Sequence, residues 1–418
     1  MPQNKIVPLA LASLTVGALS LSACAGADAQ DDSVSLRFAL WGSETRVQNT
    51  ENIIEAYQEE NPEVSIEVEY NDWDGYWDRL NTQLAADDAP DIILMDVWNL
   101  GEYVERGSLL DLSDVDLSDV PDDVVASGSV DGGYYGLAQG INSPAIVANP
   151  RIFDEAGVAM PDDSTWTWED FRDIAQEITE NHESAYGAAG PDGARLFQAW
   201  LRQQGAYFMD AEGEIGFDAD LLAEYFALLD DFRTSGAFPE AQTMTEDRGA
   251  GQDQSLLATG EAAMAFNLTN LLGAFTDASG EDLVLLRYPS PTGNASDAGL
   301  WYNTLVVSAA SSTDHPEEVI DFLDFSINDE RAARWNLSDR GVPANTEIRD
   351  ALLDEMSEAD LAAAEFITEI EDELGPPEPV PAAGFTEVAD TLERYQDEVF
   401  FERMTPEEAA ESLMAEIQ

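Results

Sequence analysis

The chain has 418 residues, 44% of them hydrophobic, which exceeds one small core and implies two lobes of ordinary size. Acidic side chains number 85 against 18 basic ones, a formal charge of −67, so no basic patch exists to neutralise phosphates and nucleic acid is excluded as a partner. The ordinary apolar content excludes a disordered acidic tail.

In chain order, the first feature is an apolar run over residues 6–23, ending at Leu21-Ser22-Ala23-Cys24. This box, around the only cysteine, resembles a bacterial lipoprotein signal. The resemblance implies that residues 1–23 are removed, that the Cys24 thiol carries a diacylglycerol, and that the protein sits on the outer face of a membrane. Acyl chains hold there because each buried CH₂ is worth about 0.8 kcal/mol. The run is short for a spanning helix and contains Pro8. An ordinary secretory signal with an incidental cysteine is the alternative. Residues 24–33 are small and polar and read as a tether. Lys5 is the only lysine, so the processed chain has arginine as its sole strong cation. Such carboxylate density resembles proteins of salt-adapted organisms, in which short-range screening tames self-repulsion. It also lowers the information in any acidic cluster.

Residues 34–41 alternate and end at Gly42, which predicts a strand. A helix is expected over 45–60, stopped by Asn61-Pro62, then a strand over 64–70 and a helix over 76–86. Ile92-Ile93-Leu94-Met95 is a continuous apolar run of the buried parallel kind. Strand, helix, strand, helix, strand makes an α/β lobe. Short strands are expected over 134–137 and 143–148. Helices are expected over 168–180, 195–204, 219–234, 253–259, 269–275 and 316–326, and strands over 283–286 and 304–307. The last third is helical, with a Pro-rich break at 375–379.

The order of these features is similar to the family 1 extracellular solute-binding proteins of ABC importers. Trp41-Gly42-Ser43 resembles the family's first ligand loop. Residues 85–92 (AADDAPDI) resemble its A-x-G-x-x-P-D step, with Asp in place of the usual Gly. Gly107-Ser108-Leu109-Leu110-Asp111-Leu112, the Gly205–Gly216 hairpin, Gly260-Glu261-Ala262-Ala263-Met264, His315-Pro316-Glu317-Glu318 and Arg340-Gly341-Val342-Pro343 follow in the family's order. The resemblance implies a type II periplasmic-binding-protein-like fold: two α/β lobes, three inter-lobe crossings, and a ligand cleft that closes and excludes water. Crossings are expected near 140–144, 284–289 and 327–335. The first lobe would be residues 34–142 and 288–328, the second 143–287 and 329–418.

A sugar offers hydroxyl rims and apolar faces, so its site needs aromatic plates plus carboxylate, amide and Arg edges. The expected ligand residues are Trp41, Glu44, Asp96, Trp98, Asn99, Asn142, Asn267, Asn270, Trp301, Asn303 and Arg340, with Arg195 weakest. Each has a structural alternative: Trp41 and Trp301 as core plates, Asp96 as a helix N-cap, Trp98 on a lobe surface, Asn267 in a turn. Trp166 and Trp168 read as structural; Trp73, Tyr76 and Trp77 read as core that staples the second helix, with the cleft rim as the alternative. The expected partners are a carbohydrate, ABC permease subunits and, through lipid, a membrane, for a monomer without cofactor, metal or catalytic role. His182 and His315 lack triad or metal spacing. The rivals are a two-carboxylate glycoside hydrolase using Glu44 and Asp96, and the same fold binding a polyamine, metal or peptide. Arg340 in the cleft argues against a polyamine.

Overall fold

The computed structural model describes residues 33–418, apart from Ser338, Glu378 and Gln418. The signal, Cys24 and most of the tether lie outside the described residues.

Parallel pairing builds the first sheet. β1 (Val34–Trp41), α1 (Glu44–Gln58), β2 (Val64–Asn71), α2 (Trp73–Ala85), β3 (Ile92–Asp96) and α3 (Val97–Glu105) form the expected βαβαβ unit. β1 lies between β2 and β3, parallel to both. Each helix has a side-chain N-cap at the end of its strand or loop: Ser43, Asp72 and Asp96. Ile92 to Met95 are fully buried, as expected of a strand in the middle of a sheet. The small helix α4 (Asp122–Ala126) and the hairpin of β4 (Ser129–Val130) with β5 (Gly133–Tyr134) lead to β6 (Leu137–Asn142).

Ser143 alone separates β6 from β7 (Pro144–Ala148), the first strand of the second lobe. The chain continues through α5 (Pro150–Ala156), α6 (Trp168–Asn181), α7 (Gly193–Gln203), α8 (Ala219–Ser235), α9 (Ala241–Arg248), β8 (Met264–Leu268), α10 (Leu272–Ser279) and β9 (Val284–Leu286). β7 is central to an antiparallel sheet, β8-β7-β9. Its core is aromatic: Phe171 packs on Phe232 and Phe266, and Phe197 on Tyr225. Trp166 and Trp168 are buried in this core. The helix expected over 253–259 is a 3-10 turn at Gln252–Gln254 followed by turns. There the Leu256 N–H donates to Asp247 Oδ1 at 2.7 Å, so a side chain takes the place of a helical carbonyl. α9 was not expected, because AQTMTEDR is polar nearly all round.

Residues 287–302 return the chain to β10 (Asn303–Ala309), which inserts antiparallel between β3 and β6. α11 (Pro316–Asn328), α12 (Glu330–Ala333), β11 (Val342–Pro343), α13 (Thr346–Leu352), α14 (Glu358–Ile370), α15 (Phe385–Phe400) and α16 (Pro406–Ile417) complete the chain. The first sheet reads β11-β6-β10-β3-β1-β2.

The third crossing is not at 327–335, and residues 330–343 stay with the first lobe. β11 pairs with β6. Arg331 bonds Glu60 at 2.7 Å, and Asn328 Nδ2 donates to Asp116 O at 2.9 Å. The change of lobe runs along α14, whose Ala363, Ala364 and Ile367 join the first core while Phe366 and Ile370 join the second. β11 is pressed close: a Cβ on Gly140 would lie 2.5 Å from Arg340 O, and Gly341 has φ +107°. Among the described residues, no helix is long and apolar enough to cross a membrane.

Candidate functional site

Pairing register brings four of the expected residues to one edge of the first sheet. Trp41 and Asp96 end the parallel strands β1 and β3, where α/β sheets present ligand-facing groups. Antiparallel β10 begins there, with Asn303 opposite Asn142 at the end of β6. In the second lobe, Asn267 pairs with Ala145 at the end of β8 nearest the Ser143 crossing, and Asn270 follows it. The two sheets therefore turn these edges toward the same connection. Thr269 Oγ1 accepts the Ser143 N–H at 3.2 Å.

The rings at the β1 edge form a cluster. Trp41 is 7% exposed and lies 5.0 Å from Trp73, 4.9 Å from Tyr76 and 5.4 Å from Trp77. Tyr76 is core, as expected, and its hydroxyl donates to Leu94 O at 2.6 Å. Trp73 is not core and suits the rim alternative instead. It starts α2 immediately after the Asp72 cap and is 46% exposed. Tyr70, 45% exposed, donates its hydroxyl to Gly42 O at 3.0 Å. The open plate of this cluster is thus Trp73, backed by a buried Trp41.

A second group joins the lobes through α3. Asp96 N-caps α3, its Oδ1 accepting the Trp98 N–H at 2.9 Å. Burial pushes the Asp96 carboxyl above the usual range, against the pull of Arg195. Arg195, on α7, is paired with Asp192 and lies 5.5 Å over the Trp98 ring. Trp98 also packs on Phe385 of α15 at 5.1 Å. Asn99 Oδ1 accepts from Thr386 of α15 at 3.5 Å. Trp98, Trp301 and Asn303 line one small cavity of about 40 Å³ together with Pro377 and Pro379. Trp301 is buried, with Arg202 stacked on it at 5.5 Å. These rings are contacts between parts of the protein more than open plates.

The third group is the linker before β11. Asp339 pairs with Arg46 at 2.8 Å, and its carbonyl accepts from Asn270 Nδ2 at 3.2 Å, tying the second lobe to the first. Asn142 Nδ2 donates to Arg340 O at 3.2 Å. Only the Arg340 backbone is at this junction. Its side chain, 2% exposed, runs into the first core over Phe38 and donates to Thr50 at 2.7 Å and Gln139 at 3.2 Å. Burial without a carboxylate in bonding reach lowers its pKa to about 10. Arg340 is therefore not a cleft cation, and its argument against a polyamine lapses. Glu44 begins α1 and is exposed at the helix N-terminus.

The second lobe holds a cavity of about 340 Å³, within the ~300–1,000 Å³ usual for small-molecule sites; a second cavity, of about 410 Å³, lies beside Arg202, Tyr207 and Pro377. Of the expected residues only Asn267 lines the first. Asp192, Asp247, Gln252 and Ser255 supply further polar edges, and Phe266 and Phe275 apolar ones. Burial raises the carboxyl pKa of both Asp192 and Asp247. Sequence reasoning missed this wall, although Gly190-Pro191-Asp192-Gly193, with both glycines at positive φ, marks a tight turn before α7.

The family described as bacterial extracellular solute-binding protein matches residues 52–365. An uncharacterised lipoprotein of Streptomyces antibioticus is 26% identical over 364 residues, covering 82% of this chain and 76% of its own length. An ABC substrate-binding protein of Listeria monocytogenes, solved in complex with cycloalternan, has a TM-score of 0.79 at 21% identity, covering 92% of this chain and 98% of its own. A periplasmic oligogalacturonide-binding protein of Yersinia enterocolitica, with saturated digalacturonic acid, also gives 0.79 at 21%, covering 92% and 97%. At such identity these structures speak for the two-lobed fold. With three quarters of its length matched, the chain belongs to the bacterial extracellular solute-binding protein family.

Proposed function

We propose that this chain is the extracytoplasmic receptor of an ABC importer. It binds a mono- or oligosaccharide between its lobes and delivers it intact to permease subunits, as a monomer anchored by lipid at Cys24. The observation that carries the carbohydrate reading is Trp73, an open indole set edge-on against the buried Trp41 at the carboxyl end of β1. A large apolar ring left in water beside amide and carboxylate edges suits a sugar face with its rim of hydroxyls. Relatives that bind cycloalternan and digalacturonic acid support the same reading. Against hydrolysis, the Asp96 carboxylate is engaged as a helix cap.

One observation favours a second reading, a cationic solute: Asp247 lines the 340 Å³ cavity and has no arginine partner among the described residues. Thermal unfolding in molar salt against sugars, polyamines and divalent cations separates the two. A bound solute at 100 times its Kd stabilises the native state by about 2.7 kcal/mol. The proposal expects a raised midpoint with one sugar family and recovery of that sugar unchanged. Shifts with amines or metals alone overturn the carbohydrate reading, and a consumed sugar overturns the receptor reading.

A further inference from the structure

Resting on the carbohydrate reading, we infer that this site takes uncharged glycans and rejects uronates, because every cation around it is already held by the protein. An acidic sugar needs an arginine or lysine whose charge is available to its carboxylate. The only lysine is in the leader, so arginine must serve.

Five arginines lie at or beside the three groups and the cavity, and each is committed. Arg46 gives Nε to Asp339 at 2.8 Å, and its two terminal nitrogens donate to the carbonyls of Asp339 and Trp41. Arg195 is paired with Asp192 and stacked on Trp98, with Asp96 as a further nearby negative charge. Arg248 bonds Asp397 at 2.6 Å and Glu393 at 3.5 Å, both on α15. Arg202 donates to Pro376 O at 2.8 Å and lies over Trp301. Arg340 is inside the first core.

Recruiting any of the three acid-paired arginines, Arg46, Arg195 or Arg248, to a uronate strands the internal carboxylate it leaves. That exchange costs what the new pair gains. The cavity wall adds repulsion on balance, since two carboxylates, Asp192 and Asp247, line it against the one guanidinium of Arg248, itself paired with Asp397 and Glu393. A neutral glycan asks for none of this. Its hydroxyls meet the amides and carboxylates as they stand, and its apolar face meets Trp73.

The test is calorimetric titration of the secreted chain with matched oligosaccharides of equal length: neutral, uronate, and uronate methyl ester. The salt is the lowest that keeps the protein folded. The neutral member is expected to bind, the uronate to bind at least about 100-fold more weakly, and esterification to restore affinity. Asp247→Asn is expected to recover part of the uronate affinity, which a purely steric exclusion does not predict. Uronate affinity equal to or above that of the neutral partner overturns the inference and leaves the receptor reading intact. If no member of any set binds, the carbohydrate reading itself fails.

Discussion

Trp41 and Trp73 touch, yet burial assigns them different work. Trp41 fills the top of the first core, so Trp41→Ala removes a buried indole and is expected to cost about 3–5 kcal/mol of stability. Trp73→Ala removes a half-exposed ring and is expected to change stability by less than about 1 kcal/mol while weakening sugar binding at least tenfold. Denaturant unfolding and titration on both variants separate plate from core. Arg340→Ala completes the set: a loss above about 2 kcal/mol with sugar affinity unchanged, because the side chain faces Thr50 and Gln139. The Asp247 carboxyl is held above its ordinary range by burial. A raised folded-state pKa means the charged form is disfavoured at neutral pH and the penalty fades as pH falls through the folded value toward the unfolded one. Asp247→Asn is therefore expected to raise the melting midpoint near pH 7, with a gain that shrinks on acidification through the carboxylate range.

The elements whose boundaries were legible are those with strong periodicity and a chemical stop. β1 begins at Val34 and ends at Trp41 as the alternation and Gly42 require, and α6 starts at the Thr167/Asp170 capping box. α9 lacks an apolar stripe, and β11 is two residues long, so neither leaves a signal in the chain. The third crossing was misplaced for a related reason: contacts across hundreds of residues, such as Arg46 with Asp339, hold residues 330–343 on the first lobe, and no local pattern encodes them. The site shows the same division. Strand ends placed Trp41, Asp96, Asn142 and Asn303 on one edge, whereas Arg340 followed a motif whose backbone, but not its side chain, reaches the junction. Close approach at β11 is testable. Gly341 has φ +107°, and a Cβ there meets Asn142 Oδ1 at 2.5 Å, so Gly341→Ala is expected to cost more than about 2 kcal/mol. Gly273, inside α10, meets only Ala359 Cβ at 3.7 Å, so Gly273→Ala is expected to gain about 0.5–1 kcal/mol. Urea melts of the two variants give opposite signs.

Across the whole molecule, a charge of −67 with arginines largely absorbed in ion pairs leaves most carboxylates repelling one another. Salt shortens the reach of that repulsion from about 10 Å at 0.1 M to about 3 Å at 1 M. The melting midpoint is expected to climb steeply over this range, by scanning calorimetry, and a flat profile would show that the charge is tolerated without screening. The two lobes meet through the Asn270–Asp339 tie and the stack of Arg195, Trp98 and Phe385, so ligand affinity is expected to depend on both lobes. The central claim is that a sugar binds where the facing edges of the two sheets meet. The most direct measurement is a crystal structure of residues 33–418 with the sugar that raises the melting midpoint. A sugar ring is expected against Trp73, with polar contacts from Asn267 or Asn270 on the opposite lobe. A sugar bound on the outside of either lobe, away from these edges, would contradict it.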